Sequence, residues 1–483
     1  MPRRPWNEAP SRPRLPVWGA GLAVLLTLAG AAPPEAADFN DVVLLSNENA
    51  FFGGYNDVWG FVGNDGREYV IQGTSTGTAW WDVEDPIHPQ LVTFLPEPAS
   101  PWRDMFVIGD RAYIVAENFD QGVRIVDISD PTNPTYVTSY LTTVNQAHNI
   151  FGDPSRNLLF VVGGSSAMAN GGVQILDASN PDNLVEIGQW NTHYVHDLSI
   201  EGNLAFLCLI FIGEMQIIDL TDPTAPVTLG SYVSSQGAVH ASWPVGDGTH
   251  VLITHETSGG ALHSVDVSNP LSPSLADAYV PAPQSSTHNV HVEGTRAWVS
   301  WYARGTRVID VSDPTFLSEL GYWDTNEKIG LTDGNWGVFP HFPSGLAAAN
   351  DRDNGLFLMK YDATAGVLDG TVSPSAGTFL FDPVVDYLDL EMSQTVDSTG
   401  AYQFSAFSGP SHSLRFTAFG FQPDSATVAL AAGGTTTTNV TLQRLPAGAI
   451  TGVVTDANTL LPLEGADALV DGTPLIAVSD ASG

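Results

Sequence analysis

The sequence is poor in the residues that mark several common classes of protein. It holds one cysteine, Cys208, in 483 residues. No intramolecular disulfide can form, and the setting "LAFLCLIF" is that of a buried small hydrophobe rather than a reactive thiol. Basic residues number 17 against 53 acidic ones, a balance that repels nucleic acid and anionic lipid and leaves neither as a partner. Apart from one stretch near the start, no apolar run is long enough to span a membrane. Helical periodicity is equally scarce after residue 37. No HEXXH, GXSXG or phosphate-loop pattern occurs, and "GGSSAMANGG" at 163–172 lacks the Lys-Ser/Thr of such a loop, so it reads as a flexible rim.

The one apolar stretch, Val17 to Ala32, follows four Arg and precedes small residues. Residues 1–37 therefore read as a secretory signal peptide cleaved between Ala31 and Ala37. Removing them leaves 13 basic against 51 acidic residues, a net charge of −38, and no transmembrane segment in the mature chain. The expected location is secreted, extracellular or at a bacterial cell surface.

Gly and Pro are abundant, at 47 and 33, which suits an all-β chain with many turns. One phrase recurs. "VRIVDISDPTNP" begins at Val123, "VQILDASNPDNL" at Val173, "MQIIDLTDPTAP" at Met215, "LHSVDVSNPLSP" at Leu262 and "TRVIDVSDPTFL" at Thr306, with an earlier "TAWWDVEDPIHP" at Thr78. The Asp closing each apolar run falls at 82, 127, 177, 219, 266 and 310. A period in the forties with several short strands per unit predicts a β-propeller of four-stranded blades. Asp at the end of the third strand accepts from an N–H two residues on and turns the chain, and Pro ends the ladder. First strands open near Asp57, Asp104, His148, His196, His240, His288 and Trp336, which makes seven blades over residues 38–362. The seventh lacks its own fourth strand. "FNDVVLLSNEN", 39–49, has the pattern to supply it and close the ring, removing open edges.

These phrases resemble the LVIVD repeat, and with "HNI", "VHDL" and "HNVHV" opening blades the arrangement is similar to bacterial choice-of-anchor B proteins. The resemblance covers about two thirds of the chain. It implies a secreted or surface-held seven-bladed propeller and brings no known reaction. Residues 363–446, with "DSTGAYQF" and "HSLRFTAFGFQP", look like a carboxypeptidase regulatory-like domain, a transthyretin-like or Ig-like β-sandwich used as a stalk or spacer. A second copy starts at 447 and runs to 483 without its later strands, as in a truncated chain.

Four successive blades carry His at the start of the first strand: His148, His196, His240 and His288, spaced 48, 44 and 48. Neutral imidazoles converging on a channel mouth are ligands for one divalent transition metal (Zn, Fe, Mn or Cu), and the carboxylates around them suit Ca as well. The alternative is structural: each His hydrogen-bonds a neighbouring blade's backbone. Arg103, Asp104, His193 and Trp336 lie near the same slots. Loops between second and third strands bring Glu117, Asp120, His255, Glu256, Asp351 and Asp353 to that face, while His291 lies deeper. Trp102 and Trp243 fall near the mouth, where a sugar could stack. The function expected is a binding module, a monomer that takes a protein, glycan or small ligand on its channel face. The alternative is a metal-dependent hydrolase, lyase or oxygenase using the His ring.

Overall fold

The computed structural model describes residues 39–483 except 118–120, 165–169, 282–284, 329, 376–379, 397–398, 447, 471–472 and 474. The leader and Asp120 lie outside the described residues, as does half of the Gly-rich loop, 165–169. Short strands with β-branched and aromatic residues, separated by Gly or Asp turns, build seven antiparallel sheets. Sheet one is Tyr55–Val62, Glu68–Thr74, Gly77–Asp82 and Gln90–Pro96. Sheet two is Arg103–Ile108, Arg111–Ala116, Val123–Asp127 and Thr135–Tyr140. Sheets three to six repeat this order, with first strands Asn149–Asp153, Asp197–Glu201, Val239–Pro244 and Val290–Glu293. Sheet seven takes Asn335–Phe339, Ala347–Asp351 and Gly355–Tyr361, and its fourth strand is Val42–Glu48, paired to the third from Val42↔Tyr361 to Glu48↔Leu356. The preceding Phe39–Asn40 goes elsewhere, adding a short fifth strand to sheet six beside Trp323 and Tyr322.

The repeated Asp has one structural job in sheets one to six. Its Oδ1 accepts from the N–H two residues on: Ser129 on Asp127, Ser179 on Asp177, Thr221 on Asp219, Ser268 on Asp266 and Ser312 on Asp310, each at 2.8 Å. Asp82 does the same with Glu84 at 3.1 Å. These are Asx-turns, and they pin the corner between third and fourth strands.

Strand alternation gives each sheet two apolar faces, and consecutive sheets bury them against each other. Ile71 and Trp80 meet Met105 and Ile114 between sheets one and two. Phe206, Cys208 and Ile217 meet Val251 and Ile253 between sheets four and five. Sheets seven and one are joined the same way, with Phe339, Ala348 and Leu358 against Val58, Val70 and Trp81. Polar bonds lie on top of these. Asn350 of sheet seven donates to Asn56 O at 2.9 Å and accepts from Gln72 at 2.9 Å.

Residues Gly366–Leu442 form two further sheets, one built on Gly366–Pro374 and Ala401–Ala406, the other on Phe381–Tyr387 and Gly409–Phe419. Their inner face, with Leu368, Val385, Phe404 and Phe416, is continuous with the apolar cluster between sheets one and seven. Ser405 Oγ donates to Val42 O at 2.9 Å. Beyond 447 the described residues hold one hairpin, Asp467–Leu469 with Ile476–Val478. No helix is long and apolar enough to cross a membrane among the described residues.

Candidate functional site

Each first strand begins with a pair of residues: Asn56–Asp57, Arg103–Asp104, His148–Asn149, His196–Asp197, His240–Ala241, His288–Asn289 and Trp336–Gly337. The seven first strands converge on one central cavity. Asp57, Asp104 and Asp197 share a register, because the Oδ1 of each accepts from the next N–H, of Val58 at 2.8 Å, Met105 at 2.7 Å and Leu198 at 2.6 Å. Asp57 and Asp104 therefore do not take the His slot assigned to them by counting. Asn56 and Arg103 do, and the two Asp belong one step further in. In sheets one, five and seven the strand bulges at this point, so successive residues escape strict alternation.

The outer members form a tier of rings. Ring centroids are 4.0 Å apart for His148 and His196, 4.3 Å for His196 and His240, and 4.0 Å for His240 and His288. Trp336 continues the row 4.4 Å from His288. The rings are held from outside. His148 Nδ1 pairs with Glu117 Oε1 at 2.8 Å, and His288 Nδ1 donates to Trp336 O at 2.6 Å. These bonds fix the tautomers and leave Nε2 as the nitrogen available to a ligand. The His196 and His240 rings turn to the backbone of the next sheet, at His240 and His288, though the buried Nδ1 of each falls short of regular hydrogen-bond geometry. Burial first, and the neighbouring imidazoles with it, hold His196 and His288 well below the ordinary 6.5. Burial brings His240 to about 4. All three are neutral at pH 7, with a lone pair to give.

Glu256 reaches the row from its loop. Its Oε2 lies 3.9 Å from His240 Nε2, and Tyr302 OH donates to its Oε1 at 2.7 Å. Among the described residues, His196, His240 and Glu256 are the three metal-capable side chains whose ligand atoms lie within 4.8 Å of one another. The edge of a tetrahedral zinc site is ~3.3 Å for Zn–N bonds of about 2.0–2.1 Å.

The inner members form a second tier of Asp57, Asp104, Asn149, Asp197 and Asn289. Asn289 Nδ2 donates to Asp57 Oδ2 at 2.7 Å, and Ile150 N to Asp104 Oδ2 at 2.8 Å. Burial raises Asp57 to about 7 despite its two hydrogen bonds. It raises Asp104 and Asp197 well above the carboxylate range, with the Asp57 charge adding to both. Beneath lies an aromatic floor. Trp59 is 4.5 Å from Phe106 and 5.1 Å from Phe339, and Trp243 stacks on His291 at 4.1 Å. The cavity is small, about 20 Å³ at the mouth and about 30 Å³ in the inner chamber. A water needs about 10–15 Å³ on such a scale, so the space suits an ion with a water or two rather than a sugar.

Several expected residues go elsewhere. The Arg103 guanidinium turns away from the cavity to Glu97 at 3.1 Å, Thr74 O and Pro98 O. His193 is exposed. His255 is fully buried inside sheet five, held by Ser234 and Ala261 O, with its ring on His263. Trp243 is not at the mouth but in the floor, since the bulge between Val239 and Ser242 carries it inward. Asp351 is buried and bonded to Thr325 and Asn326, and Asp353 pairs with Lys328. The inner tier was not anticipated as a unit. Its signal is the Asp or Asn that follows the first-slot residue in five of the seven pairs.

Repeated four-stranded sheets whose first strands share a polar central cavity define a propeller-like repeat protein. The LVIVD repeat family matches residues 102–142, 167–192, 194–234, 258–280 and 285–325, so sheets two to six carry LVIVD repeats. No curated protein matches it. Among solved structures it is similar to the computationally designed Ika8 protein, at 12% identity over 65% of this chain and 86% of that chain, with a TM-score of 0.44.

Proposed function

We propose that this chain is an exported, closed seven-bladed propeller that acts as a binding module, and that its channel mouth takes a divalent transition metal ion through His196, His240 and Glu256. The observation carrying the reading is the approach of those three side chains within 4.8 Å, two of them imidazoles forced neutral by burial. Neutral imidazole with one carboxylate suits Zn, Mn, Fe or Cu. His148 and His288 flank the ion and complete the wall. Ring closure is supported by the apolar cluster and the Asn350 bonds joining sheets seven and one. Export is supported by the Arg-led apolar leader, and a cell-surface location by the choice-of-anchor B resemblance, with the C-terminal sandwich, which resembles a carboxypeptidase regulatory domain, serving as its spacer.

Metal analysis by mass spectrometry tests this on the chain from residue 38 onward, without a polyhistidine tag, after chelation and repletion. About one transition metal ion per chain is expected, absent from a folded His240→Ala variant. A metal-free wild type, or equal metal in the variant, overturns the reading. Three protein ligands leave an open position, which the enzyme alternative would use. A protein or glycan partner on the same face is the second reading, favoured by Trp102, 37% exposed beside His148. Metal-independent binding lost in Trp102→Ala would select it.

A further inference from the structure

We infer that the inner chamber is a second cation site, built from Asp57, Asp104, Asp197 and Asn289 for a hard divalent ion such as Ca²⁺. The donors differ in kind from those at the mouth. They are all oxygens, the ligands that hard cations select over imidazole. The three carboxylates sit on the first strands of sheets one, two and four, and each residue is 8% exposed. No cationic side chain balances them among the described residues. Arg103, next in sequence to Asp104, spends its guanidinium on Glu97, Thr74 O and Pro98 O.

A second observation, independent of the carboxylates, points to a ligand. Asn289 is 7% exposed and its Oδ1 is buried without a hydrogen-bond partner, while its Nδ2 is committed to Asp57 Oδ2. Asn289 lines both parts of the cavity, so this bare oxygen lies in the wall of the chamber that the carboxylates share. With Asp57 ionised, turning the amide over would set Oδ1 against its carboxylate, an arrangement that a cation relieves and a flip does not. Asp197 adds an oxygen of the same sort: its Oδ1 takes the Leu198 N–H and its Oδ2 has no hydrogen bond among the described residues.

The remaining slots keep the space open. Sheet five contributes Ala241, and at sheet seven's Gly337 a Cβ would overlap Asp57 Oδ1. The three carboxylates do not all come within 4.8 Å of one another, the span of two opposed oxygens at the ~2.4 Å of a Ca²⁺ bond. At least one therefore reaches the ion through water, for which the 30 Å³ chamber has room.

The floor supplies the assay. Trp59 and Trp243 line the chamber, so Tb³⁺ standing in for Ca²⁺ is excited through tryptophan. The chain from residue 38 onward is titrated with Tb³⁺. One saturable sensitised site, displaced by Ca²⁺, is expected. Asp197→Asn and Asp104→Asn, each close in shape to the native residue, should weaken it by about tenfold or more. His240→Ala separates this site from the mouth: a signal lost in that variant and kept in Asp197→Asn belongs to the mouth and overturns the proposal. Where a variant does not fold, the wild type still decides: Ca²⁺ at saturation must raise its melting temperature. Emission that never saturates, emission equal in the folded Asp197→Asn chain, or a wild-type melting temperature indifferent to Ca²⁺ overturns the proposal and leaves a chamber that stores only protons and water.

Discussion

Acid should unfold the metal-free chain well before ordinary carboxylates titrate. Seven imidazoles, those of His196, His240, His255, His263, His288, His291 and His341, are held below 6.5 with burial as the first cause in each. His240, His255 and His341 come to about 4 and His263 to about 3. A depressed folded value means stability that is complete above the unfolded value and lost as pH falls toward the folded one. Asp57, Asp104 and Asp197 work in the opposite sense. Their folded values are raised, to about 7 for Asp57, so their contribution is present in acid and lost as pH rises. Between roughly pH 6 and 4.5 the unfolded chain holds seven protons on these imidazoles that the folded chain refuses, and the folded chain holds three on the channel carboxyls. The excess of four gives a slope of about 5 kcal/mol per pH unit at its steepest, at about 1.4 kcal/mol per proton. Against a total of about 5–15 kcal/mol, unfolding is expected within one to three pH units below 6.5. The assay is urea denaturation followed by tryptophan fluorescence, in chelator, from pH 7.5 to 4.5. Asp57→Asn removes one of the compensating protons, and Asn289 can turn its free Oδ1 to the new amide. That variant should be firmer at pH 7.5 and fall more steeply in acid, by about 1.4 kcal/mol per pH unit. A urea midpoint flat from pH 7 to 5, or an Asp57→Asn slope equal to the wild type's, would refute the reasoning.

Two further predictions rest on packing. Gly337→Ala places a Cβ onto Asp57 Oδ1, so about 1–3 kcal/mol of stability should be lost and Tb³⁺ affinity should fall with it. Urea midpoints and the terbium titration check both, and an unperturbed variant would mean the chamber yields easily. Ending the chain at 362 uncovers the apolar surface that sheets one and seven share with the sandwich. The shortened chain should lose about 3 kcal/mol, the burial of one or two large apolar side chains, and should bind a hydrophobic dye that the longer chain ignores.

Much of the scaffold was legible because its signals are local. An Asp two residues ahead of a Ser or Thr turns the chain without help from distant residues, and the Asx-turns at Asp127, Asp177, Asp219, Asp266 and Asp310 follow directly from sequence. The row of His148, His196, His240 and His288 was legible for a related reason: one slot recurring at the repeat period lands at one height. What sequence left hidden depends on register and reach. Strict alternation sends one member of an opening pair away from the cavity, as it does Arg103, and the bulges that relax it in sheets one, five and seven have no residue signature. His255 stands beside Glu256, yet one is the last residue of a strand and faces inward, while the other begins the loop and reaches the mouth. Arg103 has the charge of a ligand-binding residue, but Glu97 and two carbonyls reach it first.

The two slots of the opening pair also divide the labour of the repeat. The turn Asp is the same in all six copies, because each of those six sheets turns the same corner into its fourth strand. The outer slot keeps His in four consecutive blades, which duplication alone would explain if its neighbour had stayed fixed too. The neighbour has not: across the seven sheets it reads Asp, Asp, Asn, Asp, Ala, Asn, Gly. Each variant has a use where it stands. Gly337 makes room for Asp57, Asn289 donates to that same carboxylate, and Asp104 anchors the Ile150 N–H of the next sheet. A slot filled with different residues that fit one another across non-adjacent sheets is a site in which the sheets answer to a common centre. That mutual fit, more than the row of histidines, argues that the cavity is built to hold something.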